Sequence, residues 1–526
     1  MQKKNLQLIQ VLLGVVIGAL VTLSVVKYRD SRHYTRVRNE DWSKVNLMLD
    51  LIQKNYVDTV EQETITDAAI AGILSKLDPH SVYMPPMQLT AAQEDLAGNF
   101  EGIGIQFNVP NDTAIVLEVI AGGPSEKAGL MVGDRLLKVD EQVIAGVRFP
   151  QDSMVRRMKG PSGTKVTVTV QRGKEEIPFK IIRGKIPVRS VDASFIIRDG
   201  VGYIRLAKFS RTTFSEFQEA ADNLLDRGLR HLILDLRDNT GGYLDQALLL
   251  GNAFLERGDV VVYVEGRKRA RELFRADGKG RLKDVGLTVL ISENSASASE
   301  IVAGAIEDKD RGQVIGRRSF GKGLVQEEFD FSDRSGLRLT VARYYTPSGR
   351  CIQKPYVDYD YDIYNRYADG EVFSAENVKL DTTDKHFTRN GRKVYGGGGI
   401  MPDIFVPMDT TRATEYYQKC NRKATQMRFA SAVFDRHKDR LLSIEKYPEM
   451  DRFLKEVDVA TSFRSFASKT DGITATAEEW EKTKPYLIPQ LEALVARYSR
   501  LGENAYYRYY LPVDNTITVA LKELEK

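Results

Sequence analysis

A chain of 526 residues suggests three or four domains, at roughly 150 residues per domain. Its composition, 42% hydrophobic and 28% charged, is that of a soluble globular protein and excludes whole-chain disorder, a collagen-like fibre and a polytopic membrane protein. The net charge is +4, and residues 1–40 alone carry +5, so the rest of the chain is close to neutral at −1. We therefore expect no nucleic-acid partner, because such proteins normally present a basic face.

Cysteine and histidine are scarce. Cys351 and Cys420 are too few for a disulfide framework, and one bridge or two free thiols are equally open. The chain has no CxxC motif or Cys/His cluster, so we expect no structural zinc. Only five histidines occur, and any triad chemistry would need one of them.

The N-terminus predicts a membrane anchor. Residues 5–26 carry no charge, and basic residues lie on both sides of them. This length can just span a bilayer as one helix. No small-residue cleavage site follows the apolar run, so we expect residues 1–27 to be an uncleaved signal-anchor. The flanking charge does not settle on which side of the membrane the body lies.

The pattern then changes along the chain. Helical spacing of apolar residues at 41–94 predicts an N-terminal helical region at 38–95. Short strands with turns follow, as in GIGIQFNV and KVTVTVQR, and predict a β-rich domain at 96–186. Strands alternate with helices from Gly200, which predicts an α/β core at 187–410, and residues 411–526 are mostly helical. The fold class is therefore a multidomain α+β and α/β protein with an anchor and a helical C-terminal extension.

A serine-rich turn, SENSASASEIVAGAI at 292–306, follows an apolar strand and leads into a helix. Backbone N–H groups and the dipole at a helix N-terminus stabilise negative charge, including the oxyanion of an acyl-transfer intermediate. Taken alone, the segment also fits a serine that only caps the helix. The candidate hydroxyls are those of Ser292, Ser295, Ser297 and Ser299.

A second segment, GRRSFGKGLVQ at 316–326, places Lys322 between two glycines. It nearly completes a phosphate-binding loop, but Gly323 stands where a Ser or Thr would bind magnesium, and no helical pattern begins at the lysine. A lysine that is desolvated beside a hydroxyl loses its proton more readily and can act as a general base. An exposed surface lysine is the alternative.

Two further loops contain residues that could bind a ligand or a cation. ILDLRDNTGG at 233–242 is an apolar strand that runs into a loop with paired glycines, where backbone N–H groups can meet a ligand. Asp358, Asp360 and Asp362 alternate in YVDYDYDIYNRY, but their spacing is not that of a calcium loop, so a solvated insertion is favoured over a cation site.

Together these segments resemble the C-terminal processing peptidases, also called tail-specific proteases. The motifs occur in the family's order from about residue 45 to about residue 407: LDPHS at 77–81, a GIGI-led PDZ-like domain, LDLRDNTGG, NSASASEI and FGKGLVQ. The resemblance implies a serine endopeptidase with a Ser-Lys dyad that needs no histidine, metal or organic cofactor. Loop residues Asp238 and Thr240 depart slightly from the family's usual Asn and Pro.

The resemblance also implies individual roles. Ser297 would be the nucleophile, Lys322 the general base, and Gln326 a neutral support for the lysine. The oxyanion hole would use the backbone N–H of Ala298 and one N–H from Gly241 or Gly242, between which the sequence does not choose. The PDZ-like loop that binds a peptide carboxylate would be Gly102, Ile103, Gly104 and Ile105.

The expected partners are proteins or peptides with apolar C-termini, and the membrane through residues 5–26. By the resemblance, the body lies on the periplasmic or extracytoplasmic side of the cytoplasmic membrane. Residues 411–526 lie beyond the family's common part, and docking on the protease, homo-oligomerisation and adaptor binding stay open. The alternatives to a protease are a catalytically inactive PDZ-containing scaffold and, on the incomplete phosphate loop alone, a nucleotide hydrolase.

Overall fold

The computed structural model describes residues 43–110, 112–120, 122–410 and 414–526, which form two compact units. The described part of the first unit is residues 43–87 with 326–340, and the second unit is residues 88–325 with 341–526. The anchor predicted at residues 5–26 lies outside the described residues and stays a prediction. Within the described ranges, no helix is both long enough and apolar enough to cross a bilayer.

Helices predicted at 41–94 are present, with a short strand between them. The elements are α1 Ser43–Asn55, α2 Gln62–Leu74, β1 Val82–Met84 and α3 Pro86–Ala97. In the first unit, β1 pairs antiparallel with residues 336–338. The turn before β1 is held by Asp78, whose carboxylate accepts hydrogen bonds from the backbone N–H groups of His80 and Ser81 at 2.9 and 3.0 Å.

The β-rich domain follows, with eight short strands and two helices among its described residues. They are β2 Asn99–Gly102, β3 Ile105–Asn108, β4 Ala114–Val119, α4 Pro124–Ala128, β5 Arg135–Val139, β6 Gln142–Val143, α5 Gln151–Met158, β7 Lys165–Arg172, β8 Glu175–Ile182 and β9 Gly184–Pro187. The main sheet has the order β3-β4-β5-β7-β8, with β6 beside β5, and β2 pairs separately with β9. Strand β3 is therefore an edge of its sheet.

The α/β core contains most of the remaining strands. Its elements are β10 Val191–Arg198, β11 Val201–Leu206, α6 Thr213–Leu225, β12 His231–Asp235, α7 Leu244–Asn252, β13 Val260–Gly266, β14 Arg269–Arg275, β15 Gly286–Ile291, α8 Ala298–Asp308, β16 Gln313–Gly316, β17 Leu324–Asp330, β18 Gly336–Tyr345, α9 Asp362–Ala368, β19 Lys385–Phe387, β20 Lys393–Tyr395 and β21 Ile404–Phe405. The central sheet has the order β10-β11-β12-β15-β16-β21, parallel from β11 onward. The free thiols of Cys351 and Cys420 form no bridge.

The helical extension contains α10 Glu415–Arg422, α11 Thr425–Ser443, α12 Tyr447–Val457, α13 Val459–Asp471, α14 Ala477–Ala496, α15 Gly502–Tyr510 and α16 Asn515–Glu523. Its helices have a core of their own, against which Leu117 and Val132 of the β-rich domain pack. At the same contact Arg135 forms an ion pair with Asp435 at 2.5 Å. Of the three roles left open for residues 411–526, docking on the rest of the chain is the one that the structure shows.

Both faces of the central sheet are covered, as burial of a parallel sheet requires. Side chains alternate between the faces along each strand: Ile204 and Leu232 face the layer of α6, α7 and α8, whereas Tyr203 and Ile233 face the extension. The extension contributes Leu511, Ile517 and Ala520 to this second layer. Helix α16 thus completes the fold of the core.

Replacing Ile517 by Ala is expected to lower the free energy of unfolding by about 2–4 kcal/mol, because a fully packed side chain would leave a cavity. Ile517 is 1% exposed in the layer between α16 and the sheet. Urea denaturation followed by circular dichroism measures the change. Lys522→Ala, at an exposed position of the same helix, is the matched control and should change stability by less than about 0.5 kcal/mol. Equal effects of the two substitutions would contradict the packing described.

Candidate active site

Three loops meet at the carboxyl edge of the central sheet. Adjacent parallel strands β12, β15 and β16 end at Asp235, Ile291 and Gly316. The loops that follow them are the glycine loop (residues 236–242), the serine turn (292–297) and the lysine loop (317–323). They therefore begin side by side, in the position where open α/β sheets bind their ligands. These are the three segments that the sequence analysis selected.

The structure distinguishes among the four candidate serines. Three of them are buried, and their hydroxyls donate hydrogen bonds to residues 236–239. Ser292 donates to the Asp238 carboxylate, Ser295 to the Leu236 carbonyl and Ser299 to the Asn239 carbonyl. Ser297 is only half-buried. It is therefore the hydroxyl of this turn that a substrate can reach.

Ser297 stands immediately before helix α8 in a strained backbone conformation, with φ 54° and ψ −114°. Non-glycine residues rarely adopt such angles, and strain of this kind persists only where the surroundings hold it in place. The helix that begins at Ala298 directs the Ala298 N–H and the positive end of its dipole toward this turn. Negative charge formed beside Ser297 would be stabilised there.

A buried carboxylate binds the main chain of both Ser297 and Lys322. Glu300 is fully buried, and its Oε2 accepts the N–H of Ser297 at 2.8 Å and the N–H of Lys322 at 2.9 Å. Its Oε1 accepts the Gly321 N–H at 2.7 Å and the Ser319 hydroxyl. Burial raises the pKa of Glu300, while these hydrogen bonds favour its charged form. One side chain thus holds the serine turn and the lysine loop together.

A buried hydroxyl binds the same two residues from their carbonyl side. The Tyr344 hydroxyl lies 3.1 Å from the Ser297 carbonyl oxygen and also contacts the Lys322 carbonyl. Tyr344 is 1% exposed, and burial raises the pKa of its phenol well above the usual value, so it stays a donor. The main chain of Ser297 and that of Lys322 are therefore each bound through both the N–H group and the carbonyl group of the residue.

The paired glycines lie against the serine turn. A Cβ atom on Gly241 would stand 2.8 Å from Ser297 Cβ and 2.9 Å from Ala298 N, so only glycine fits. The Gly241 N–H donates to Asn239 Oδ1 at 2.9 Å. Among the hydrogen bonds of the described residues, the Gly242 N–H has no acceptor.

The tyrosine- and aspartate-rich insertion is mostly exposed, as expected, but its buried Arg366 supports the lysine loop. Asp362 lies 2.9 Å from Lys354 Nζ and also pairs with Arg366. The buried Arg366 guanidinium donates to the Ser319 carbonyl at 2.8 Å and to the Phe320 carbonyl at 3.1 Å. Asp358 and Asp360 are exposed, whereas Asp362 pairs with the buried Lys354 and, four residues further along the same insertion, with the buried Arg366.

A strand, β17, and not a helix follows Lys322. A phosphate-binding loop needs a helix at this point, because its N-terminus binds the phosphate. The structure therefore gives no support to nucleotide hydrolysis.

In the β-rich domain, Gly102–Ile105 connects β2 to the edge strand β3. Gly104 has φ +79° and approaches Ile186 so closely that a Cβ atom would stand 2.9 Å from its Cδ1. The carbonyls of Ile103 and Gly104 accept hydrogen bonds from Ser125 and Ile120, at 2.9 and 3.1 Å. The loop is thus fixed by its carbonyls, beside an unpaired strand edge of the kind that accepts an added peptide strand.

Models of known families match four parts of the chain. Peptidase family S41 matches residues 200–363, a PDZ domain matches residues 102–182, and the N-terminal domain of the activating protease CtpB matches residues 19–86. A family of unknown function matches residues 416–499.

Curated relatives cover most of the chain. A carboxy-terminal-processing protease of Bartonella bacilliformis is 36% identical over 390 residues, 72% of this chain and 88% of that protein. A probable CtpA-like serine protease of Staphylococcus aureus is 33% identical over 392 residues, 73% of this chain and 78% of that protein. The chain belongs to the carboxy-terminal processing proteases of peptidase family S41. Among solved structures, the photosystem II D1 C-terminal processing protease is 25% identical, with coverages of 71% and 96% and a TM-score of 0.37.

As a member of this family the protein is a serine peptidase with a PDZ domain, which confirms the family and the enzyme class expected from the sequence. The structure brings Ser297, Ala298, Gly241 and the main chain of Lys322 together. Gln326 belongs to the first unit, where its side-chain N–H donates to the His80 carbonyl at 2.6 Å.

Two residues of this processing protease's site were missed from the sequence. Glu300 follows Ser297 by three positions, which is the spacing of a capping box, and this signal could have identified it. Tyr344 comes 47 residues after Ser297 and carries no sequence signal of its contact.

Glu300→Gln is expected to lower kcat by about 100-fold, because an amide NH₂ would face N–H donors and loosen the hold on Ser297 and Lys322. Turnover of a peptide substrate measures the loss, with circular dichroism to establish folding. Glu293→Gln is the control, since Glu293 is also buried in this turn but binds Arg317 and Tyr367 instead. Wild-type turnover by folded Glu300→Gln would contradict the role of the carboxylate.

Proposed function

We propose that this protease cleaves protein substrates that carry apolar C-terminal tails, using Ser297 as nucleophile and Lys322 as general base. The observation that carries the proposal is the shared support of the two residues by Glu300 and Tyr344. A nucleophile and its base must keep one relative position through the reaction, and a common pair of buried partners provides this.

In the first step, neutral Lys322 takes the hydroxyl proton as Ser297 Oγ bonds to the scissile carbonyl carbon. The tetrahedral intermediate then collapses, and the lysine ammonium passes the proton to the leaving amine. Water attacks the acyl-enzyme with Lys322 again as base, which restores the Ser297 hydroxyl. Gln326, which is uncharged, would orient the lysine amine without adding a negative charge that favours its protonated form.

The oxyanion would lie at the N-terminus of α8, where the Ala298 N–H is one donor. For the second donor we propose Gly242, because the Gly241 N–H already binds Asn239. Because Gly241 has no side chain, the loop that carries Gly242 can approach Ala298 closely, which favours Gly242 as the second donor.

The substrate tail would bind the PDZ domain as a strand added to the edge of β3, with its carboxylate on Gly102–Ile105. Apolar side chains suit this domain, because Ile105 and Phe107 of β3 pack against a core that includes Met154 and Met158 of α5. An apolar terminal residue would extend that cluster.

Ser297→Ala and Lys322→Ala are each expected to lower cleavage of an unfolded reporter with an apolar tail by about 10⁴-fold, since each removes one of the two reacting groups. Cleavage is followed by electrophoresis and by release of a fluorescent product. Ser299→Ala is the comparison variant and should lose far less activity than either, because its hydroxyl binds the Asn239 carbonyl and takes no part in the reaction. Full cleavage by Ser297→Ala would refute the dyad, and tail binding without turnover by the wild type would favour the inactive scaffold.

A tail peptide with a free carboxylate should bind Ser297→Ala protein about tenfold or more tightly than the same peptide with a C-terminal amide. Hydrogen bonds to a charged group contribute roughly 1.5–3 kcal/mol, and the amide lacks that charge. Fluorescence anisotropy of labelled peptides measures the two affinities. A third peptide with a charged last residue tests the apolar preference, and equal binding of acid and amide would exclude carboxylate recognition.

A further inference from the structure

A buried ion pair joins the C-terminal extension to the glycine loop. Asp514 Oδ2 lies 2.7 Å from Arg237 Nη1, and the two side chains are 9% and 14% exposed. The other oxygen of Asp514 accepts the N–H groups of Thr516 and Ile517 at 2.9 and 3.2 Å. One carboxylate therefore caps helix α16 and binds the segment LDLRDNTGG.

Arg237 is also held from the side of the sheet. Its Nε and Nη2 donate to the two oxygens of Asp235, at 2.9 and 2.6 Å. Asp235 is fully buried and accepts a further hydrogen bond from the Tyr203 hydroxyl at 2.7 Å. Burial alone would lower the pKa of Arg237, but the carboxylates of Asp235 and Asp514 raise it.

Asp514 is one of two carboxylates that Arg237 contacts among the described residues, the other being Asp235, whereas Arg205 faces Asp192, Asp235 and Asp238. Arg205 Nη1 lies 3.3 Å from Asp235 Oδ2, so two guanidiniums, of Arg205 and Arg237, face Asp235. Asp514 supplies a second buried carboxylate. Without it, Arg237 would share its remaining carboxylate, that of Asp235, with Arg205 in a largely buried position, which is costly and favours displacement of the arginine toward water.

The position of Arg237 matters because the loop it begins carries the proposed oxyanion donor. Arg237 precedes Gly241 and Gly242 by four and five residues, and the loop ends against Ser297 and Ala298. Stabilisation of an oxyanion depends on donors held within hydrogen-bond distance of the developing charge, and small displacements cost large factors in rate.

We propose that the C-terminal extension is a positioning element of the active site, in which Asp514 holds Arg237 and thereby keeps the glycine loop opposite Ala298. The inference rests on the proposed function, since it gives the extension a part in the same reaction. Asp514 acts through Arg237 and does not touch the substrate. The extension would accordingly set kcat while leaving tail binding to the PDZ domain.

The test uses the full chain with Asp514→Asn, which removes the charge but keeps a side chain that can cap a helix. Asp458→Asn is the matched control, because Asp458 caps α13 through the Thr461 N–H at 3.2 Å and has no contact with the glycine loop among the described residues. Three quantities are measured: kcat and KM on the tail-bearing reporter, affinity for a tail peptide, and hydrogen exchange of residues 236–243.

We expect Asp514→Asn to lower kcat by about tenfold, with KM and tail affinity changed by less than about twofold, and to speed exchange at 236–243. Asp458→Asn should match the wild type in all three. Unchanged kcat, a fall in kcat without faster exchange, or an equal fall in Asp458→Asn would overturn the inference.

Two further outcomes separate the inference from other failures. If the wild type shows no Ser297-dependent turnover, the proposed function fails, and exchange at 236–243 alone decides whether Asp514 positions the loop. If Asp514→Asn does not fold, Asp514→Ser, which also caps helices well, is measured in the same way. Loss of folding in both variants but not in Asp458→Asn would show a role in folding only and would overturn the inference.

Discussion

The site depends on one buried carboxylate. Glu300 accepts the backbone N–H groups of Ser297 and Lys322, two residues that come from loops after different strands. A carboxylate is suited to this because both its oxygens accept hydrogen bonds and none of its atoms donates. Full burial makes the arrangement rigid, since each of these N–H groups would otherwise be unsatisfied away from water.

The second constraint is the burial of a parallel sheet on both faces. Helices α6, α7 and α8 cover one face, and α16 with the end of α15 covers the other. The extension also packs against the PDZ domain through Leu117 and Val132. Residues 411–526 are therefore part of the architecture that carries the site, and Asp514 lies where this layer meets the loop of Arg237.

The expected α/β core is present, because the alternation of strands and helices is a local signal along the chain. The serine turn, the lysine loop and the glycine loop each follow an apolar strand, and parallel strands deliver their loops to one edge. The insertion at 356–367 is mostly exposed, as its polar pattern predicts, and the pattern does not show its contact with the lysine loop. Asp358 and Asp360 are exposed, whereas Asp362 pairs with Arg366 and with Lys354, whose Nζ lies over the Phe320 ring.

The sequence by itself determined the family, the PDZ domain, the α/β core and the identity of the turn that carries Ser297, because motif order and periodicity are written along the chain. Only the tertiary structure decided which of four serines is accessible, that Glu300 and Tyr344 bind both Ser297 and Lys322, and that the extension contacts the glycine loop through Asp514. These facts rest on contacts between distant residues, such as Tyr344 with Ser297 and Asp514 with Arg237, and no local pattern encodes such contacts.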